Sequence, residues 1–148
     1  METEKKLALM QNTYAAALAE TVNTYEKLKV LDYVVEKKKE RQHQTAPFIN
    51  QQLGVEKVED VFIKLSDAFG CANWKVEKLT DGYCATATMC KLCALSKKMG
   101  GANPCKGWCL DPMFAMITAV TNGEIKNSDI EIISTLMDGE SCKVIIKA

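Results

Sequence analysis

Residues 83–112, YCATATMCKLCALSKKMGGANPCKGWCLDP, run from alternating small residues through five of the seven cysteines and out through Asp111-Pro112. The alternation over Tyr83–Met89 predicts a strand, and Asp81-Gly82 just before it predicts a hairpin turn back to a strand over Trp74–Leu79. Cys90 then opens a short helix over Lys91–Lys98, which Gly100-Gly101 breaks, and Asn103-Pro104 turns the chain into Cys105. Asp111, followed by proline, reads as the cap of a helix that continues through MFAMITAV and stops at Asn122-Gly123. A last hairpin follows, with strands over Ile130–Met137 and Cys142–Ile146 joined around Asp138-Gly139, and with Cys142, Val144 and Ile146 on one face.

Upstream the period changes to that of helices. Leu7, Met10, Tyr14, Leu18, Val22, Tyr25, Leu28, Leu31 and Val35 form an apolar stripe. It predicts one helix over about residues 4 to 42, or two with a turn around Val30–Asp32. Part of so long a stripe is available for a second copy, giving a homodimer through the N-terminal helix. The KKKER run at 37–41 reads as a solvated helix end. A second helix is expected from a Thr45 cap with Pro47 in its first turn to Gly54, and a third over Val58–Phe69, stopped by Gly70. The fold expected is therefore α+β, with N-terminal helices packed on a four-stranded, mainly antiparallel sheet and a cysteine-rich loop-helix insert between two hairpins. The chain reads as one domain over 1–148, helical over 1–70 and built of hairpins and the cysteine-rich segment over 71–148.

With 19 basic and 19 acidic residues and 47% hydrophobic residues, nothing directs the chain to nucleic acid. No apolar run approaches the ~20 residues of a membrane span, and METEKKLALMQ has no basic leader followed by an apolar core. A cytoplasmic location is expected, where seven cysteines point to metal or redox chemistry rather than a disulfide framework.

Cys90-x-x-Cys93, eleven residues, then Cys105-x-x-x-Cys109 make two chelating pairs, the four-sulfur set of structural zinc or an iron-sulfur cluster. Reactive thiols with lowered pKa values at helix starts, or inert core cysteines, are the other readings. Cys84 and Cys142 lie on adjacent hairpins and read as core before ligand; Cys71 has no partner at motif spacing. Asp111, two residues past Cys109, is a cap first and a general base on bound water second. Trp108 and Tyr83 are candidates to wall a pocket. His43 is the only histidine, which argues against histidine-based triads and zinc sites, and no phosphate-binding glycine loop occurs. Cys90-x-x-Cys93 lacks the surrounding βαβ pattern of a thioredoxin-like motif.

From about Gly70 onward the chain resembles the L-2-amino-thiazoline-4-carboxylic acid hydrolase-like family. The likeness rests on Cys84, Cys93, Trp108-Cys109-Leu110-Asp111 and the closing Asp138-Gly139-Glu140-Ser141-Cys142-Lys143-Val144. More distantly, the order of helices and hairpins is similar to 4-vinyl reductase-type domains and related small-molecule-binding and Golgi-tethering folds, which are α+β and often dimeric. The resemblance implies hydrolytic opening of a cyclic amidine-like thiazoline, with Cys109, Asp111 and Cys142 near the site. Cys90 and Cys105 look like additions to that pattern and favour a metal-binding branch. Two functions follow as expectations: a metal-binding, hydrolase-like domain acting on a small cyclic compound, and a module that binds a small molecule, metal or metallated cofactor without turnover.

Overall fold

Asp81-Gly82 closes the first hairpin in the computed structural model, which describes all 148 residues. Strands β1 (Lys75–Leu79) and β2 (Gly82–Ala87) pair antiparallel on either side of it. Gly82 has φ +150°, and a Cβ there would meet the Ile146 carbonyl oxygen, so the turn needs glycine. Strands β3 (Ile130–Ser134) and β4 (Cys142–Lys147) complete an antiparallel sheet of order β1-β2-β4-β3. Ladder register places Ala85 opposite Val144 and Ala87 opposite Cys142, so small and branched side chains share the inward face. β3 is shorter than the expected Ile130–Met137, because a register shift between Ile132 and Ser134 ends regular pairing.

The N-terminal stripe forms two helices, α1 (Thr3–Lys27) and α2 (Leu31–Leu53), broken where Lys29 takes a left-handed φ of 62°. The expected helix start at Thr45 is absent. α2 runs straight through Pro47, and the Thr45 hydroxyl donates back to the Arg41 carbonyl rather than capping anything. Proline removes one ladder donor, but packing of α2 along the later helix α5 (Asp111–Val120) outweighs that loss. The KKKER run consequently lies in mid-helix, with the Lys38 ammonium 5.0 Å from the Trp108 ring centroid. Gly54 and Gly70, both left-handed, end α2 and α3 (Val58–Phe69) as expected.

α4 (Lys91–Lys98) follows Cys90, and a π-helical turn (Lys106–Leu110) runs without interruption into α5 (Asp111–Val120). Asp111 is therefore no helix cap: Leu110 before it is already helical, at φ −72° and ψ −47°. Five consecutive buried residues, Met113 to Ile117, show that α5 is enclosed on every side. It shares one core with the inward sheet face and with Val61 and Phe62 of α3. The buried Asn50 amide ties α2 to α5 by donating to the Met116 carbonyl at 3.0 Å. Helices thus cover one face of the sheet, and the cysteine-bearing insert leaves it after the central strand β2. No helix is long and apolar enough to cross a membrane.

Candidate metal centre

Three pieces of chain converge on the cysteines, and each is anchored by its own hydrogen bonds. An isolated antiparallel bridge pairs Ala72 with Cys90, and the Lys91 amide donates to the Cys71 carbonyl at 2.7 Å. Cys90 is the N-cap of α4, its sulfur accepting from the Cys93 amide at 3.5 Å. The loop after α4 is held by Asn23 of α1, whose carbonyl oxygen accepts from the Ala102 amide at 2.9 Å and whose amide donates to the Ser96 hydroxyl at 3.0 Å. Asn103 then accepts from the Cys105 amide at 2.8 Å, aiming that residue inward. Cys105 and Cys109 sit four apart on the helical run and share a side. Between them Gly107 faces α2, where an added Cβ would stand 2.9 Å from Val35 Cγ2.

Cys90, Cys93, Cys105, Cys109 and Cys142 all line a single cavity of about 20 Å³, closed by Trp74, Leu110 and other apolar residues. No charged or hydroxyl side chain lines it. A volume of that size admits about one water-sized sphere, which is also the scale of one ion. Cys93 Sγ and Cys105 Sγ are 3.4 Å apart, and Cys109 Sγ is backed by Met113 Sδ at 3.8 Å, outside the five-sulfur lining. The four cysteines of the two spaced pairs therefore line one cavity, with Cys93 and Cys105 in sulfur contact, and Cys142 lines it from the first position of β4.

The electrostatics hold Cys90, Cys93, Cys109 and Cys142 as thiols. Cys90 is pushed strongly up, first by its hydrogen bond with Cys93 and then by burial. Cys93 is pushed up to about 12, chiefly by its contact with Cys105, and Cys142 to about 11, chiefly by burial. Burial, followed by neighbouring cysteines, also raises Cys109 well above the ordinary thiol range. The lowered pKa expected from a helix start is overturned: at Cys90 the amide contacts lower the value by less than its thiol neighbour and burial raise it. Free thiolate nucleophiles are consequently scarce here at neutral pH. Nowhere in the chain do three or more His, Cys, Asp or Glu side chains already stand in coordinating positions. Around a tetrahedral zinc with Zn–S of about 2.3 Å, sulfurs sit about 3.8 Å apart. Relative to that spacing, Cys93 and Cys105 must separate by roughly 0.4 Å, and each ligand must lose its proton.

Other sequence candidates lie elsewhere. Asp111 lies near Lys39, Glu36 and His43 of α2 and Lys106 of the π-helical turn, which act on it, and does not line the cavity. Burial raises its pKa, and its buried Oδ2 has no hydrogen-bond partner. Cys84 shares the outward sheet face with Thr86, its sulfur 3.9 Å from that hydroxyl. Trp108 packs 6.2 Å from Tyr25 between α1 and α2, and Tyr83 packs on the core edge; Trp74, not either of them, walls the cavity. Met113 went unrecognised, although its position four residues after Cys109 on a helix is the signal that would have found it. A second, open groove of about 600 Å³ lies on the solvent side of Cys90 and Cys93, which line both spaces.

No family model, curated protein or solved structure matches the chain significantly.

Proposed function

We propose that this chain is a metal-binding module in which Cys90, Cys93, Cys105 and Cys109 hold one thiophilic ion, with Cys142 as an adjacent fifth sulfur. The observation that supports the reading is that five cysteines from three segments of the chain line one small apolar cavity of ion size. Sulfur-only donor sets select zinc, copper(I) or iron-sulfur clusters over harder cations. Zinc ranks first because the cavity has room for a single ion and not for a cluster of several atoms. Four thiolates would close its coordination, which favours a binding or structural role over catalysis. Retention of free thiols suits a reducing, cytoplasmic setting.

Hydrolysis of a small cyclic compound, as in the thiazoline hydrolase-like family, is the second reading, and the large open groove beside Cys90 is what favours it. Only lysines among the strongly basic or acidic side chains line that groove, and Asp111 lies away from it, so a positioned general base is missing. Elemental analysis and absorption spectra of anaerobically purified protein test the first reading. One zinc-class ion per chain is expected. Protein that stays metal-free and takes up no zinc, cadmium or iron overturns it. Incubation with thiazoline carboxylates, followed by mass spectrometry, tests the second, and ring-opened product would establish turnover.

A further inference from the structure

The open groove is itself lined with sulfur. Cys71 and Met89 line it together with Cys90 and Cys93, and the last two form the wall between groove and cavity. Met89 is 70% exposed, Cys71 and Cys90 are half-buried and Cys93 is buried, so the sulfurs are graded from solvent to interior. Backbone contacts set the segments that carry them side by side. Asn73 accepts from the amides of Thr88 and Met89 at 2.9 Å each, and the Ala72–Cys90 bridge lies beside it, holding the segment of Cys71 against that of Met89 and Cys90.

A hydrated ion cannot cross an apolar wall cheaply, because each lost water contact must be replaced at once. Passage from sulfur to sulfur avoids a bare ion. We propose that this groove is the loading port of the sulfur cavity, receiving a thiophilic ion from a low-molecular-weight thiol complex through Cys71, assisted by Met89, and passing it to Cys90. At the first exchange one metal–sulfur bond to the carrier breaks as one to Cys71 forms, and the Cys71 proton goes to the departing carrier thiolate. At the second, Cys90 replaces Cys71 and its proton returns to Cys71; nothing is oxidised or reduced. A groove of about 600 Å³ fits a small carrier, and Lys91 and Lys97 on its rim suit an anionic thiolate complex.

The inference rests on the metal-binding reading, and loading rate separates the two. Reduced apo-protein is mixed with the zinc complex of glutathione, desalted at timed intervals and analysed for zinc. Cys71→Ser is expected to slow loading about tenfold, and Met89→Leu about twofold, with final zinc content and melting temperature unchanged. Loading of both variants at the wild-type rate overturns the port while leaving the cavity site standing. A lowered final zinc content in Cys71→Ser also overturns it, since Cys71 would then be a ligand. Wild-type protein that never takes up zinc removes the site and the port together. If Cys71→Ser fails to fold, Met89→Leu, altered at an exposed position, decides alone.

Discussion

Gly107→Ala places a methyl group where α2 and the π-helical turn touch, and the cost follows from distances. The new carbon would stand 2.9 Å from Val35 Cγ2 and 3.6 Å from Val35 Cβ. Unstrained carbon contacts are about 3.5–4.0 Å, so the overlap is roughly 0.6 Å or more. Val35 cannot swing aside, since a valine in a helix keeps one side-chain rotamer about 90% of the time. α2 must therefore shift, and overpacking of this kind costs about 1–3 kcal/mol. Against that, alanine is favoured over glycine within a helix by up to about 1 kcal/mol. The net expectation is destabilisation of up to about 2 kcal/mol, or about 4–8 °C in melting temperature at 2–4 °C per kcal/mol. With Val35→Ala already present the clash is gone and only the propensity gain remains. Urea unfolding of the four proteins, followed by tryptophan fluorescence, should give a coupling energy of about 1–3 kcal/mol. Additivity within about 0.5 kcal/mol would refute the claim that Gly107 sets the approach of α2. The same displacement moves Cys105 and Cys109, so Gly107→Ala should also lose zinc affinity.

Three further outcomes are expected. Cys105→Ser should abolish stoichiometric zinc binding in a competition titration, whereas Cys84→Ser, on the outward sheet face, should leave it unchanged. Zinc affinity should fall by about a decade for each pH unit lowered between pH 8 and 6 per thiolate bound from Cys90, Cys93 and Cys109, because all three are raised, Cys93 to about 12, and are protonated throughout that window; isothermal titration in buffers of different ionisation enthalpy counts the protons released. Asp111→Asn should gain stability relative to wild type as pH rises from about 4 toward 7. The folded pKa of Asp111 is raised, so its contribution is fully present below the ordinary carboxylate value and is lost through the raised one. Urea midpoints at pH 4 and pH 7 measure it, and an equal difference at both pH values would contradict the burial of an unpartnered Oδ2.

Local chemistry made much of the architecture legible. Asp81-Gly82, Gly54, Gly70 and Asn122-Gly123 mark turns and stops that depend on backbone conformations few other residues adopt, and all four occur where the sequence puts them. Continuation of α2 through Pro47 was hidden because its cause is packing against α5, a distant part of the chain. Asp111-Pro112 looks like a helix start, yet the π-helical turn ahead of it supplies helical backbone already, and hydrogen-bond register of that kind leaves no mark in composition. Within the site, spacing was enough to pair Cys90 with Cys93 and Cys105 with Cys109. The inward role of Cys142 follows from its alternation with Val144 and Ile146, and Thr86 at the alternate position shows why Cys84 faces out. What spacing could not carry is the crowding of the thiols in an apolar cavity, since the hydrogen bond from Cys93 and then burial raise the pKa of Cys90 where an exposed helix start would lower it.

Zinc-edge X-ray absorption on protein reconstituted anaerobically with one equivalent of zinc addresses the sulfur site most directly. The expected spectrum is a single shell of sulfur neighbours at about 2.3 Å, lost when Cys93 and Cys105 are both changed to serine. A shell of oxygen and nitrogen neighbours at about 2.0–2.1 Å, the same in wild type and double variant, would contradict it.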